Sequence, residues 1–258
     1  GGAYDAVAWA EAEGAKVVLH EFGEWLWEFL DGSSSYETLM DAQSAKGIVH
    51  VAAAGNLASG NKHCRFTVNA ASSKSNTFTV SAGRTEVYST HLWRAAGNAL
   101  RFRITPPAVA QSGDLPLTPA WTETLVGKYN VWTRKEISSR GTVKVDFWIH
   151  DGGGFVDGAW ALEIFNDSGA AENLDGYIDD DTRSWAGGTV FTNFTDANRT
   201  VTWPATADGA ISVAAYNTRD PVVGALAADS GRGTRVDGVS IMDVGAPSYI
   251  VYGSRSKN

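Results

Sequence analysis

The sequence predicts an α/β fold whose parallel-sheet core is interrupted by an inserted all-β sandwich or jelly roll, and three observations carry that expectation. The first sixty residues alternate helical and strand periodicity. The middle of the chain repeats short alternating runs between turn clusters, and a buried-strand pattern returns near residue 210. The expected division is therefore 1–60, 61–200 and 201–258, the two outer pieces forming one split unit. With 258 residues, 43% of them hydrophobic and 19% charged, the chain has enough apolar material for such cores.

In the first piece, Ala3, Tyr4, Val7, Ala8 and Ala12 recur at helical spacing and stop at Gly14. Lys16 to Phe22, KVVLHEF, is a strand-like run closed by Gly23. Ser34 and Glu37 make an S-x-x-E capping box ahead of Leu39 and Met40, predicting a helix that ends at Gly47 before the apolar strand Ile48 to Ala54. A β-α-β unit crosses over right-handed and makes its strands parallel, so Gly23 and Asn56 fall together at the carboxyl ends of the sheet. Open α/β sheets bind ligands at that edge.

From about Asn61 to Thr200 the runs CRFTVNA, NTFTVSA, LRFRITP, TVKVDFWIH and AWALEIF alternate between clusters of Gly, Ser, Asn and Pro, the pattern of a sandwich. After TVTWPATADG a buried strand, Ala210 to Ala215, leads through a polar loop to a last apolar piece, IMDVGAPSYIVYGS.

The formal net charge of -8 argues against nucleic acid or an anionic membrane as the main partner. No apolar run approaches the ~18 residues of a membrane span, and the first residues lack the charged and apolar regions of a signal peptide. The single cysteine, Cys64, excludes an internal disulfide framework and reads as a small buried apolar residue. Unpaired sheet edges make association between chains an expectation.

The stretch GIVHVAAAGN ends a buried strand in a glycine, which lets another backbone come close, and an amide, which offers two N–H donors where negative charge could develop. With AVAWAEAEGAKVVLHEFG, WPATADGAISVAAYN and RGTRVDGVSIMDVGAPSYIVYGS, it resembles, in order, core segments of the subtilisin-like serine proteases. The resemblance implies an incomplete subtilisin-like core and a serine endopeptidase acting by acyl transfer on peptide or protein substrates, with no required cofactor. It implies Asn56 as the oxyanion-hole donor, Ala53, Ala54 and Gly55 as a wall of the specificity pocket, and Glu21, Phe22 and Gly23 as the strand end that pairs with substrate. Glu24 and Trp25 then fall beside the substrate backbone. A typical member of that family is secreted or held at the cell surface.

The chain also departs from the family. The boxes that carry the catalytic Asp, His and Ser do not occur in these 258 residues, Glu21-Phe22-Gly23 replaces Ser-x-Gly, and Ser248 replaces a glycine. The expectation is a fragment or degenerate form of such a peptidase that is inactive by itself. The competing reading is a non-catalytic module whose sandwich binds protein or carbohydrate.

Other constellations offer chemistry as well. His20 and His50 lie in neighbouring predicted strands and read as satisfied core residues, and Asp229-Ser230-Gly231 lies in a polar loop. The stretch FNDSGAAENLDGYIDDD offers Asp167, Asp175 and Asp179 as candidate ligands for calcium (Ca2+), against a solvated acidic loop. It loosely resembles the end of the P-domain jelly rolls that accompany proprotein convertases. Finally, Glu21, Glu24, Glu28 and Asp31, interleaved with Phe22, Trp25, Trp27 and Phe29, raise the idea of paired carboxylates beside a sugar platform.

Overall fold

The computed structural model describes residues 2–94, 100–218 and 223–248; the end of the last predicted apolar piece, after Ser248, lies outside them. Helix α1 (Gly2–Ala12), strand β1 (Val17–His20), helix α2 (Ser35–Ser44) and strand β2 (Val49–Ala53) follow in the predicted order. The Ser34 side chain accepts from the Glu37 amide while the Glu37 carboxylate takes the Ser34 amide, so the capping box forms as its spacing predicts. Strands β1 and β2 are parallel, with Val17 opposite Val49.

Strand β13 (Ala210–Asn217) lies parallel beside β2, and β14 (Val244–Ser248) beside β13, completing a four-stranded parallel sheet in the order β1-β2-β13-β14. One face of this sheet is covered. Val7 of α1 and Tyr36 and Met40 of α2 pack with Ala207, Val18 and Ala210. The opposite face exposes Val17, Leu19, Val49, Ile211 and Val244, from 63% for Val17 to 37% for Ile211. Parallel sheets are normally covered on both sides, so this apolar face is unusual.

Between β2 and β13 the chain forms two antiparallel sheets. One, in the order β3-β11-β5-β9-β8-β7, is built from His63–Val68, Glu172–Asp180, Glu86–Trp93, Val143–His150, Tyr129–Ile137 and Thr122–Val126. The other, β12-β4-β10-β6, is built from Val190–Phe191, Ser72–Val80, Gly158–Asn166 and Leu100–Thr105. Inward residues of both, including Phe66, Phe78, Trp93, Phe102, Phe147 and Trp160, make one buried core. A second apolar cluster joins this part to the parallel sheet: Trp25, Leu26 and Leu30, following β1, pack on Leu92 and Tyr177 of the six-stranded sheet.

Strand β11 corrects the acidic-loop expectation. ENLDGYIDD is an interior strand flanked by β3 and β5, and every one of its carboxylates is buried. Burial of that kind requires pairing. Asp179 accepts from Lys62 Nζ at 3.1 Å, both side chains being fully buried, and the same ammonium donates to the Thr189 carbonyl at 2.8 Å. Lys62 stands more than a hundred residues from Asp179 in the chain, a pairing that composition alone does not reveal. Removing one partner should cost about 3–5 kcal/mol, while replacing both by apolar residues should be far milder. Urea unfolding of Lys62→Ala is expected to show a large loss of stability, and Lys62→Met with Asp179→Leu to recover most of it.

Candidate active-site cleft

At the carboxyl ends of β1 and β2 the structure opens a cleft of about 540 Å³ on the uncovered face of the parallel sheet. It is lined by Glu21, Phe22 and Gly23 from the end of β1 and by Ala53, Ala54, Gly55 and Asn56 from the end of β2, so the residues expected to act together are together. Val213, Ala214 and Ala215 of β13 and Ala246 of β14 extend its apolar wall. Asn56 is exposed, and its carboxamide has no hydrogen-bond partner among the described residues. Its two N–H donors are therefore uncommitted beside the cleft.

Two glycines fix the geometry. A Cβ on Gly23 would stand 2.5 Å from Thr202 Oγ1, and one on Gly55 would stand 2.6 Å from the same oxygen. Trp185 is the next neighbouring residue of both, at 3.0 and 3.1 Å, and it lines the cleft. Gly55 also has φ +89°, a conformation that disfavours any side chain. Trp185 escaped the sequence reading because it stands in an irregular stretch without periodicity, far from either strand. Its indirect signal was the glycine at both strand ends.

Two residues expected beside a substrate lie elsewhere. Trp25 is buried at 2% exposure, donates through Nε1 to the Ile178 carbonyl at 3.1 Å and packs its ring 4.5 Å from that of Trp185. Glu24 accepts from the amides of Trp25 and Leu26 and pairs with Arg183. The turn after Gly23 therefore directs both side chains toward the antiparallel part, where an apolar ring finds a core and a carboxylate finds a cation.

His20 and His50 do meet, Nε2 to Nδ1 at 3.0 Å, and the Tyr36 hydroxyl reaches His20 Nδ1 at 2.9 Å. Burial, reinforced by the neighbouring His50, pushes His20 down to about 4, and burial lowers His50 as well. Among the described residues, no carboxylate hydrogen-bonds to either ring, and the pair reads as a neutral core network. Ser230 is buried too, its Oγ accepting from the Ala215 amide at 2.9 Å and donating to the Gly231 carbonyl at 3.2 Å, as a structural hydroxyl does. Cys64 is fully buried, and burial raises its thiol well above the usual range.

The proposed calcium ligands do not converge. Asp167 lies at the surface in a fork with Arg101, which lowers its carboxyl. Asp175 takes His63 Nε2 at 3.2 Å and Arg199 Nη1 at 2.8 Å, and Asp179 takes Lys62. Among the described residues, no group of three or more His, Cys, Asp or Glu side chains is arranged to hold a metal ion. Nor do the carboxylates of the 21–31 segment form a pair across a cleft. Asp31 is buried against the Ser138 hydroxyl at 2.6 Å, Glu24 is held by Arg183, and Glu28 lines a different cavity from Glu21.

Among solved structures, the chain is similar to the CspB protease of Clostridium perfringens, with a TM-score of 0.77 over 93% of this chain. The fold is protease-like. Sequence identity to that protein is 19%, and the chain spans 50% of its length. No protein-family model and no curated protein matches the sequence.

Two outcomes follow from the geometry. Gly55→Ala, which must accept both positive φ and the Thr202 contact, should lose about 1–3 kcal/mol in urea unfolding. Histidine NMR should find His20 neutral at pH 6. Because its folded pKa lies below the unfolded value near 6.5, its contribution to stability is intact above that value and declines as pH falls toward 4. A His20→Gln variant should show a weaker pH dependence than the parent across this window.

Proposed function

We propose that this chain is the central portion of a subtilisin-like serine endopeptidase catalytic unit, residues 1–60 and 201–258 forming its parallel core around an inserted sandwich of residues 61–200. The observation that carries the reading is the cleft in which Glu21–Gly23 and Ala53–Asn56 face one another at the ends of parallel strands. An extended peptide laid along residues 21–23 would gain main-chain hydrogen bonds, and its residue adjoining the scissile bond would enter the wall of small residues 53–55. Asn56 would donate to the oxygen of the tetrahedral intermediate, a contribution worth roughly 3 kcal/mol where such a donor has been removed. The protease-like fold supports the reading at a coarser level.

In this reading the nucleophile and base are supplied by sequence other than these 258 residues, and the chain alone binds without cleaving. A fluorophosphonate probe is expected to leave it unlabelled; stoichiometric labelling at Ser230 would overturn the assignment. In the polypeptide encoded around this chain, a strand ending in Asp and an HGT box should precede it and a GTSMA-like box should follow, and their absence would sink the peptidase reading. With those boxes present, Asn56→Ala should lower kcat by roughly 10²–10³-fold with little change in KM.

A further inference from the structure

A second cavity, of about 410 Å³, lies between the first turn of α1 and the segment that leads into α2. Tyr4, Tyr36 and Trp203 line it together with Glu28 and the serines at 34 and 35. Tyr36 and Trp203 pack with centroids 4.9 Å apart and ring planes tilted by 52°, and the Trp203 indole is fixed by donation to Ser34 Oγ at 3.0 Å. Tyr4 is 39% exposed and stands at the mouth.

Glu28 is the group in this cavity that local structure does not explain. Its carboxyl makes no hydrogen bond and no ion pair among the described residues. The nearest cation, Lys144, is already committed to Glu136 at 2.9 Å, Asp146 at 3.4 Å and the Trp27 carbonyl. Burial, then the charge of Glu37, raises the Glu28 carboxyl to about 7. A half-buried carboxylate without a partner is stabilised by a cation beside it, and aromatic faces attract the same kind of cation through their quadrupoles.

We infer that Glu28, Tyr4, Tyr36 and Trp203 form a binding site for an organic ammonium ion, a primary or quaternary alkylammonium seated against the rings with Glu28 as its counter-charge. The site is separate from the cleft yet shares a wall with it, since the Phe22 ring lies 5.6 Å from that of Trp203. It does not depend on the peptidase reading.

Isothermal titration calorimetry of the whole chain with choline chloride and with n-butylammonium chloride tests the site, with dimethylbutanol as the neutral isostere of choline. Saturable binding of either ammonium is expected, the tighter of the two identifying the preferred class, and dimethylbutanol should bind at least about tenfold more weakly. Glu28→Gln should weaken binding by a similar factor. Tyr4→Ala, at an exposed position that leaves the core intact, should weaken it several-fold and serves if the Glu28 variant does not fold. Equal affinity for the neutral isostere, binding indifferent to both substitutions, or no saturable binding of either ammonium would overturn the assignment.

Discussion

The close approach of Thr202 and Trp185 to Gly23 and Gly55 is the constraint on which the cleft depends. Three segments remote in sequence meet there, and a single added methyl at either glycine would push them apart. Gly231 repeats the device from the other side, since a Cβ there would stand 2.1 Å from the Ala54 carbonyl oxygen. Its amide donates to the Gly55 carbonyl at 2.7 Å, and Thr202 donates its amide to Ala54 at 3.1 Å. The ends of β1 and β2 are thus clamped by backbone contacts from segments beyond the antiparallel sheets. That clamp holds the backbone on either side of β2's end while the Asn56 side chain stays exposed.

Interior electrostatics follow a different rule, in which buried carboxylates meet a cation or a set of donors. Asp179 has Lys62, Asp175 has His63 and Arg199, Asp31 has Ser138, and Glu37 has its capping amide and Thr206. A chain with a formal net charge of -8 hides several acids in this way while keeping each compensated. Glu28, which is half-buried, differs from these acids in having no hydrogen bond or ion pair among the described residues.

Much of the parallel part was legible because its signals are local. The Ser34–Glu37 box, the glycine at 23 and the apolar run before Asn56 each act within a few residues, and right-handed crossover does the rest. Strand β11 was illegible because its acidity is made tolerable by Lys62, His63 and Arg199, and β5 because Ser89, Thr90 and His91 turn polar groups into buried positions. The positions of Glu24 and Trp25 were missed for the same reason: the apolar cluster that draws Trp25 inward is supplied by Leu92, Tyr177 and Trp185. Trp185 and Trp203 belong to their cavities only through tertiary structure. What failed to show in the sequence was consistently a partner at long range.

The parallel sheet has one more consequence, in the order of events during synthesis. Strands β1 and β2 are translated early, but β13, which pairs Ile211 with Val51, follows only after both antiparallel sheets have been made. At typical elongation rates the delay is roughly ten to thirty seconds, far longer than the microseconds in which a local hairpin forms. During that interval the edge of β2 that later pairs with β13 has no mate from this sheet. The cleft draws its wall from β13 and β14 as well as from the ends of β1 and β2, so it cannot be complete before those last strands have been made.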